Sequence, residues 1–244
     1  MVWYFSATGN SEHVAKTLAE QLGEEIAPIE ASTLIDTRHG ERTVVVTPVY
    51  YFSAPEIVLN CLRRSTFQSD DVLHVVFTSG RMAGGADHTV REAASNATVL
   101  THHISMLTNY IVFYKMPKQA EVDKLLAGAD QAFEQIIESI VSNVGTYASE
   151  SWWKYVGIPA RWLYQMHTKT RRFTATNRCN SCGICVKGCP VGAIRLIDGH
   201  PQWVKDRCEH CLKCLHRCPT LAIEYGKSTR GKDRYVYPRV MSNR

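Results

Sequence analysis

The sequence is short of several things, and each shortage removes a class of protein. No apolar run reaches the ~18–20 residues that a membrane-spanning helix needs, so no transmembrane segment is expected. The leading residues MVWYFSATGN carry neither a basic region nor a small-residue cleavage site, and no signal peptide is expected. Acidic side chains are scarce in one half only. Residues 151–244 hold 5 Asp+Glu against 18 Lys+Arg, a net +13, whereas residues 1–150 hold 18 against 10, a net −8. A basic half of this kind attracts an acidic partner or the acidic half of its own chain. Nucleic acid is not expected, because no recognition motif accompanies the charge. Cysteine is also sparse outside two short runs: of nine, only Cys61 lies elsewhere, in an apolar helical pattern that reads as a buried thiol. Thiols concentrated in this way point to a reducing, cytoplasmic setting rather than a disulfide scaffold.

What is present in place of scattered cysteines is a repeat. CNSCGICVKGCP begins at Cys179 and CEHCLKCLHRCP at Cys208, each of the form C-x2-C-x2-C-x3-C-P. Cys179, Cys182, Cys185 and Cys189 recur 29 residues later as Cys208, Cys211, Cys214 and Cys218, and Ala193-Ile194 recurs as Ala222-Ile223. This is the spacing of the bacterial two-cluster iron–sulfur run, in which the fourth cysteine ligates the cluster of the other repeat. One [4Fe–4S] cluster is therefore assigned to Cys179, Cys182, Cys185 and Cys218, and the other to Cys208, Cys211, Cys214 and Cys189. Structural zinc usually takes C-x2-C knuckles separated by a longer spacer, and the tight four-cysteine run fits it poorly. His210 and His216 lie inside the second run, but the cysteine set is complete without them.

The first half alternates short apolar runs with helical periodicity. Val2–Phe5, Glu25–Glu30, Thr43–Val49 and Val72–Phe77 read as strands. Between Thr98 and Tyr114 both Val99–Ile104 and Ile111–Tyr114 read as the fifth. Helices are expected after Asn10, with Val14, Ala15, Leu18, Ala19 and Leu22 on one face, after Pro55, and over Asp87–Ala97. A single helix is expected over Val122–Val144, with Leu125, Leu126, Ala129, Phe133, Ile136, Ile137 and Ile140 on one face. Strand–helix alternation implies an α/β fold with a doubly wound parallel sheet. In such sheets ligands bind beyond the C-terminal strand ends. The loop SATGNS follows the first strand and opens a helix, an arrangement that cradles phosphate with backbone N–H groups and hydroxyls. It has no lysine, so it is not the nucleotide-triphosphate loop. His102 and His103 read as strand-edge histidines.

YFSATGNS at positions 4–11 resembles the phosphate-loop signature of the flavodoxin family, and TPVYYFSAP at 47–55 resembles its ring-binding loop. With the cysteine repeats, the chain resembles the flavodoxin–ferredoxin fusion proteins of anaerobic bacteria and archaea. The resemblance implies a flavodoxin-like five-stranded parallel sheet over residues 1–144. After an aromatic and basic linker at 145–172, it implies a small α+β two-cluster ferredoxin domain at 173–226 and a basic tail at 227–244. It implies FMN, with Ser6, Ala7, Thr8, Gly9, Asn10 and Ser11 around the phosphate, and Pro48, Val49, Tyr50, Tyr51, Phe52 and Ser53 beside the isoalloxazine. Thr78, Ser79, Gly80, Gly84 and Gly85 lie nearby. The third loop, TSGRMAGG, lacks an aromatic to stack on the ring, which leaves Arg81 and Met82 as candidates for its outer face.

The expected function is electron transfer between two low-potential [4Fe–4S] clusters and FMN, with redox proteins, acidic electron carriers or reductases among them, as partners. Two alternatives stand beside it. One is a flavin-dependent reductase fed by the clusters, its substrate pocket roofed by Trp152, Trp153, Tyr155, Trp162 and Tyr164. The other is a docking subunit of a larger redox complex. No general acid stands out, and no catalytic residue is assigned. The aromatic linker is expected to pack between domains and the tail to lie as a surface strap or loosely ordered segment.

Overall fold

The structure is a computed structural model that describes residues 1–37 and 42–243. By contact it divides into two units. The first comprises Met1–Ser6, Asn10–Leu107 and Leu125–Tyr164; the second comprises Ala7–Gly9, Thr108–Lys124 and Gln165–Arg244.

The first unit is built on β1 (Val2–Tyr4), β2 (Ile26–Pro28), β3 (Thr43–Pro48), β4 (Val72–Ser79) and β5 (Thr98–Ser105). All neighbouring pairs run parallel, in the order β2-β1-β3-β4-β5. The chain reverses its direction of travel across the sheet between β1 and β3, the topological switch point of a flavodoxin-like doubly wound fold. β3 and β4 lie inside the sheet and are covered on both faces, which explains their mostly apolar runs, interrupted in β4 by the buried His74. The helices are α1 (Asn10–Leu22), α2 (Glu56–Arg64), α3 (Ala86–Ala93), α4 (Gln119–Asp130), α5 (Phe133–Val141) and α6 (Trp153–His167). Val14, Ala15, Leu18 and Ala19 are the buried face of α1, as their spacing requires. Cys61 is wholly buried in α2, and burial raises its thiol pKa.

Two expectations fail here. The apolar stretch Ile111–Tyr114 is a turn, not a strand; β5 is Thr98–Ser105, and Ile111 and Val112 are instead buried in the core of the second unit. The long helix over Val122–Val144 is two helices. It breaks at Gln131–Ala132, where Ala132 N–H bonds back to Ala129 in a tighter three-residue turn, and α5 then buries Phe133, Ile136 and Ile140 while Leu125 stays exposed.

The second unit repeats a structural motif at the same interval as its cysteines. α7 (Ile184–Lys187) recurs 29 positions later as α8 (Lys213–His216). Positive φ recurs in step: Ser181 and His210 at 60° and 49°, Gly183 and Leu212 at 74° and 59°, Gly192 and Leu221 at 59° and 52°. Leucine therefore occupies two left-handed positions that the first repeat gives to glycine. At Leu212 the side chain is 2 % exposed and joins the core with Phe173, Leu215 and Tyr225, so packing offsets a conformation that L-residues avoid. β6 (Phe173–Ala175) pairs antiparallel with β9 (Ile223–Tyr225), and β7 (Ile194–Ile197) with β8 (His200–Trp203). β10 (Arg234–Val236) and β11 (Arg239–Met241) close a hairpin, so the tail is folded, with Arg234 and Tyr235 wholly buried. Arg234 Nη2 pairs with Glu224 Oε2 at 2.9 Å, and Thr229 Oγ1 donates to the same carboxylate oxygen.

Candidate functional site

In the second unit, two small pockets divide the eight cysteines, four to each. The first is lined by Cys179, Cys182, Cys185 and Cys218, with Ile184, Leu196, Pro201 and Ile223 around them. The second is lined by Cys189, Cys208, Cys211 and Cys214, with Phe173, Ile194, Trp203 and Leu212. The fourth cysteine of each repeat thus sits in the wall of the other repeat's cavity. Among the described residues, no group of three or more His, Cys, Asp or Glu is gathered closely enough to hold a single metal ion. Four thiols line each pocket, the all-cysteine donor set that a [4Fe–4S] cluster takes. None of the nine cysteines is in a disulfide.

The two cavities differ in their walls. At the first, Cys182 is exposed, and Ile184 and Leu196 are 44 % and 41 % exposed. At the second, Phe173 and Trp203 stack at 5.2 Å with 10° between their planes. Burial pushes Cys208 and Cys211 up to about 12 and Cys214 well above the ordinary thiol value. These thiols give up their protons only when a cation compensates the buried charge, so metal loading and proton release are coupled. Backbone N–H groups of Ala193 and Ala222 point at Cys189 Sγ and Cys218 Sγ, at 3.2 and 3.3 Å, again one repeat apart. His210 is buried, with burial lowering it to about 3, and its Nδ1 meets Tyr110 Oη at 3.0 Å.

The three candidate loops follow the C-terminal ends of β1, β3 and β4. Ser11 Oγ meets Thr78 Oγ1 at 2.7 Å, and Thr78 Oγ1 reaches the Thr47 carbonyl at 3.5 Å, so the start of α1 and the ends of β3 and β4 converge. Tyr50 and Ser53 exchange backbone hydrogen bonds across Tyr51 and Phe52, both at positive φ (51° and 63°). Gly84 accepts the Tyr147 hydroxyl on its carbonyl and has φ +55°; a Cβ there would meet the Phe52 ring at 2.6 Å. Ser79 Oγ donates to the Met82 carbonyl and meets His103 Nε2 at 2.8 Å, while Gly80 O accepts from Ser105 Oγ. The linker aromatics are partly used inside this unit. Phe52 lies 5.0 Å from Trp153, and Tyr51 lies 5.5 Å from Tyr164. Trp152, Tyr155 and Trp162 remain exposed.

The loop at the start of α1 fits a phosphate by its donor chemistry. Ser6, Thr8, Asn10 and Ser11 are buried, no acidic residue occurs before Glu12, and the first-turn N–H groups of a 13-residue helix follow. Ala7, Thr8 and Gly9 group by contact with the second unit, where Asn109 Nδ2 donates to Thr8 Oγ1 at 2.6 Å. Asn109 and Arg217 are neighbours of this loop that sequence reasoning missed; 101 and 210 positions separate them from their partners, and no local signal marks them.

Strand order and the duplicated cysteine geometry together define an α/β flavodoxin-like fold joined in one chain to an iron–sulfur-type segment. Comparison sharpens the second half: residues 178–223 match the 4Fe-4S dicluster domain family. Among solved structures, one named as a flavoprotein of Bacteroides uniformis shares 17 % identity over 42 % of this chain and 86 % of its own, with a TM-score of 0.39. A second so named, from Bacteroides eggerthii, shares 13 % over 57 % and 96 %, with a TM-score of 0.40. A flavoprotein in complex with FMN from Lactobacillus acidophilus shares 12 % over 42 % and 89 %, with a TM-score of 0.33. These likenesses are too remote to carry function, and the fold rests on the strand order itself. No curated protein matches the chain. Among the described residues, no helix is long and apolar enough to cross a membrane.

Proposed function

We propose that the protein transfers low-potential electrons between two [4Fe–4S] clusters and FMN. The observation that carries this reading is the division of eight cysteines into two cavities with the fourth member of each set exchanged. Cys179, Cys182, Cys185 and Cys218 would hold one cluster, and Cys208, Cys211, Cys214 and Cys189 the other. Their N–H···S bonds and apolar walls would set the potentials. Ser6, Ala7, Thr8, Gly9, Asn10 and Ser11 would hold the FMN phosphate. Pro48, Val49, Tyr50, Tyr51, Phe52 and Ser53 would border the ring, with Thr78, Ser79, Gly80, Gly84 and Gly85 behind them. When bound, FMN accepts and releases one or two electrons, whereas each cluster exchanges one, so the pair converts between the two currencies. The basic residues of the second half would steer an acidic redox partner at low ionic strength.

An anaerobic redox titration of the reconstituted full chain, followed by visible absorbance and EPR with iron and flavin analysis, tests this. About eight irons and one FMN per chain are expected. Less than half that iron, or no flavin, refutes it. The contacts of Trp153 and Tyr164 with the Tyr50–Phe52 turn favour one second reading, a reductase whose substrate lies against that aromatic wall. Multiple turnovers of a small acceptor, abolished by altering Trp153 without loss of flavin, would select it over the carrier.

A further inference from the structure

Three segments of the second unit, far apart in sequence, end on the same short loop. Arg217 Nε donates to the Ala7 carbonyl at 3.0 Å. Asn109 Nδ2 donates to Thr8 Oγ1 at 2.6 Å. The Tyr237 backbone N–H donates to the Thr8 carbonyl at 2.8 Å. Gly9 has φ +108°, and a Cβ built on it would lie 2.8 Å from Tyr237 Cβ, so the tail is seated directly on the loop.

His216 ties two of these segments to the cysteine run. Its Nδ1 accepts the Tyr235 backbone N–H at 3.1 Å. That fixes the proton on Nε2, which donates to the Asn109 carbonyl at 3.0 Å. The ring is 1 % exposed, so neither bond is exchanged for water. His216 and Arg217 lie between Cys214 and Cys218, which line different cavities. The short run between two cysteines of opposite sets therefore carries both side chains that reach towards Ala7–Gly9, one directly and one through Asn109.

The geometry points to a positioning network in which His216 and Arg217, acting through Asn109 and the Tyr235–Tyr237 segment, hold Ala7–Gly9 in its phosphate-binding form only while the cysteine run around them is closed on its clusters. The inference rests on the flavin and cluster reading above and adds a dependence of one cofactor on the other. Its physical basis is that buried thiols lose their organising centre when metal leaves, because the binding free energy of the metal is also folding free energy of its loop. A phosphate loop works through N–H groups converging on one anion, so a small displacement of Ala7–Gly9 removes several donors at once.

The test compares FMN with riboflavin, which shares the ring and lacks the phosphate, on the full chain under anaerobic conditions. Iron-loaded and chelator-stripped protein are each titrated with both. Stripping is expected to weaken FMN about tenfold, the equivalent of one or two hydrogen bonds, and to move riboflavin less than about twofold. Asn109→Ala and Arg217→Met, with iron content unchanged, are expected to lower the FMN-over-riboflavin preference in the loaded state. An equal preference in loaded and stripped protein, or a wild-type preference in both variants, overturns the network. Parallel loss of both flavins overturns it too, since that marks general unfolding. A loaded wild-type chain that binds neither flavin refutes the flavin reading itself.

Discussion

The buried pair His74 and His102 makes the first unit sensitive to acid. Both rings are fully buried. His74 Nδ1 lies 3.1 Å from His102 Nε2; His74 Nε2 meets Asn143 Oδ1 and His102 Nδ1 meets Thr146 Oγ1, each also at 3.1 Å. Burial, then the neighbouring His74, holds His102 at about 4 instead of 6.5. Burial also lowers His74, against a raising hydrogen bond from Asn143 and with a smaller lowering contribution from Arg42. The unfolded chain protonates His102 below about pH 6.5, and the folded chain resists until about pH 4, with His74 held in the same direction. Stability is therefore complete above pH 6.5 and is lost as pH falls towards 4. At ~1.36 kcal/mol per pKa unit, His102 alone withdraws about 3.4 kcal/mol over the full window and about 2 kcal/mol by pH 5. Urea unfolding of the first unit at pH 7.5 and pH 5, with NMR titration of the His102 ring, measures this. His102→Gln should reduce the pH dependence by the His102 share while costing about 1 kcal/mol at pH 7.5 from its broken bonds. A folded-state His102 that titrates near 6.5, or a variant with the wild-type pH dependence, would refute the reasoning.

Three further outcomes are expected. Crossed ligation predicts that the double variant Cys179→Ser with Cys218→Ser keeps one cluster and about four irons, whereas Cys208→Ser with Cys218→Ser keeps none; iron analysis giving the reverse would mean that each repeat holds its own cluster. Glu224→Ala leaves the Arg234 guanidinium uncompensated at 0 % exposure and should cost about 3–5 kcal/mol in denaturant unfolding of the second unit, with Glu224→Met plus Arg234→Met costing less than the single change. Gly84→Ala combines a left-handed backbone with a 2.6 Å approach to the Phe52 ring and should lower stability by about 1–3 kcal/mol, shown as a reduced thermal midpoint.

The parts of the fold legible in the sequence are those fixed by local covalent pattern. The α1 stripe and the apolar runs of β3 and β4 announce burial by their spacing alone. The 29-residue repeat announces more, because equal spacing in the two halves reappears as equal backbone conformation. Leu212 and Leu221 mark the limit. Nothing local says that a leucine adopts positive φ; only the glycines at 183 and 192, read through the repeat, could have suggested it. Ile111–Tyr114 was misleading because an apolar run records burial without recording shape, and here a turn supplies the second unit's core. The split of α4 from α5 depends on a tightened turn at Ala132 that no proline or terminal glycine signals. The linker concealed its helix because Pro159 stands inside α6. His102 and His103 share an edge strand, yet only His102 is sealed, because its partners His74 and Thr146 come from 28 residues earlier and 44 residues further on in the chain.

The bond from Tyr237 to Thr8 joins positions 229 apart. On a ribosome adding ~5–20 residues per second, Thr8 emerges roughly 10–50 s before the residue that seats on it. β1 and α1 can meet the strands that follow them during that interval, but the turn linking them waits. The turn therefore reaches its final contacts only after the cysteine runs have been made. The order of synthesis thus sets an order of assembly, with the turn at Thr8 among the last pieces to close.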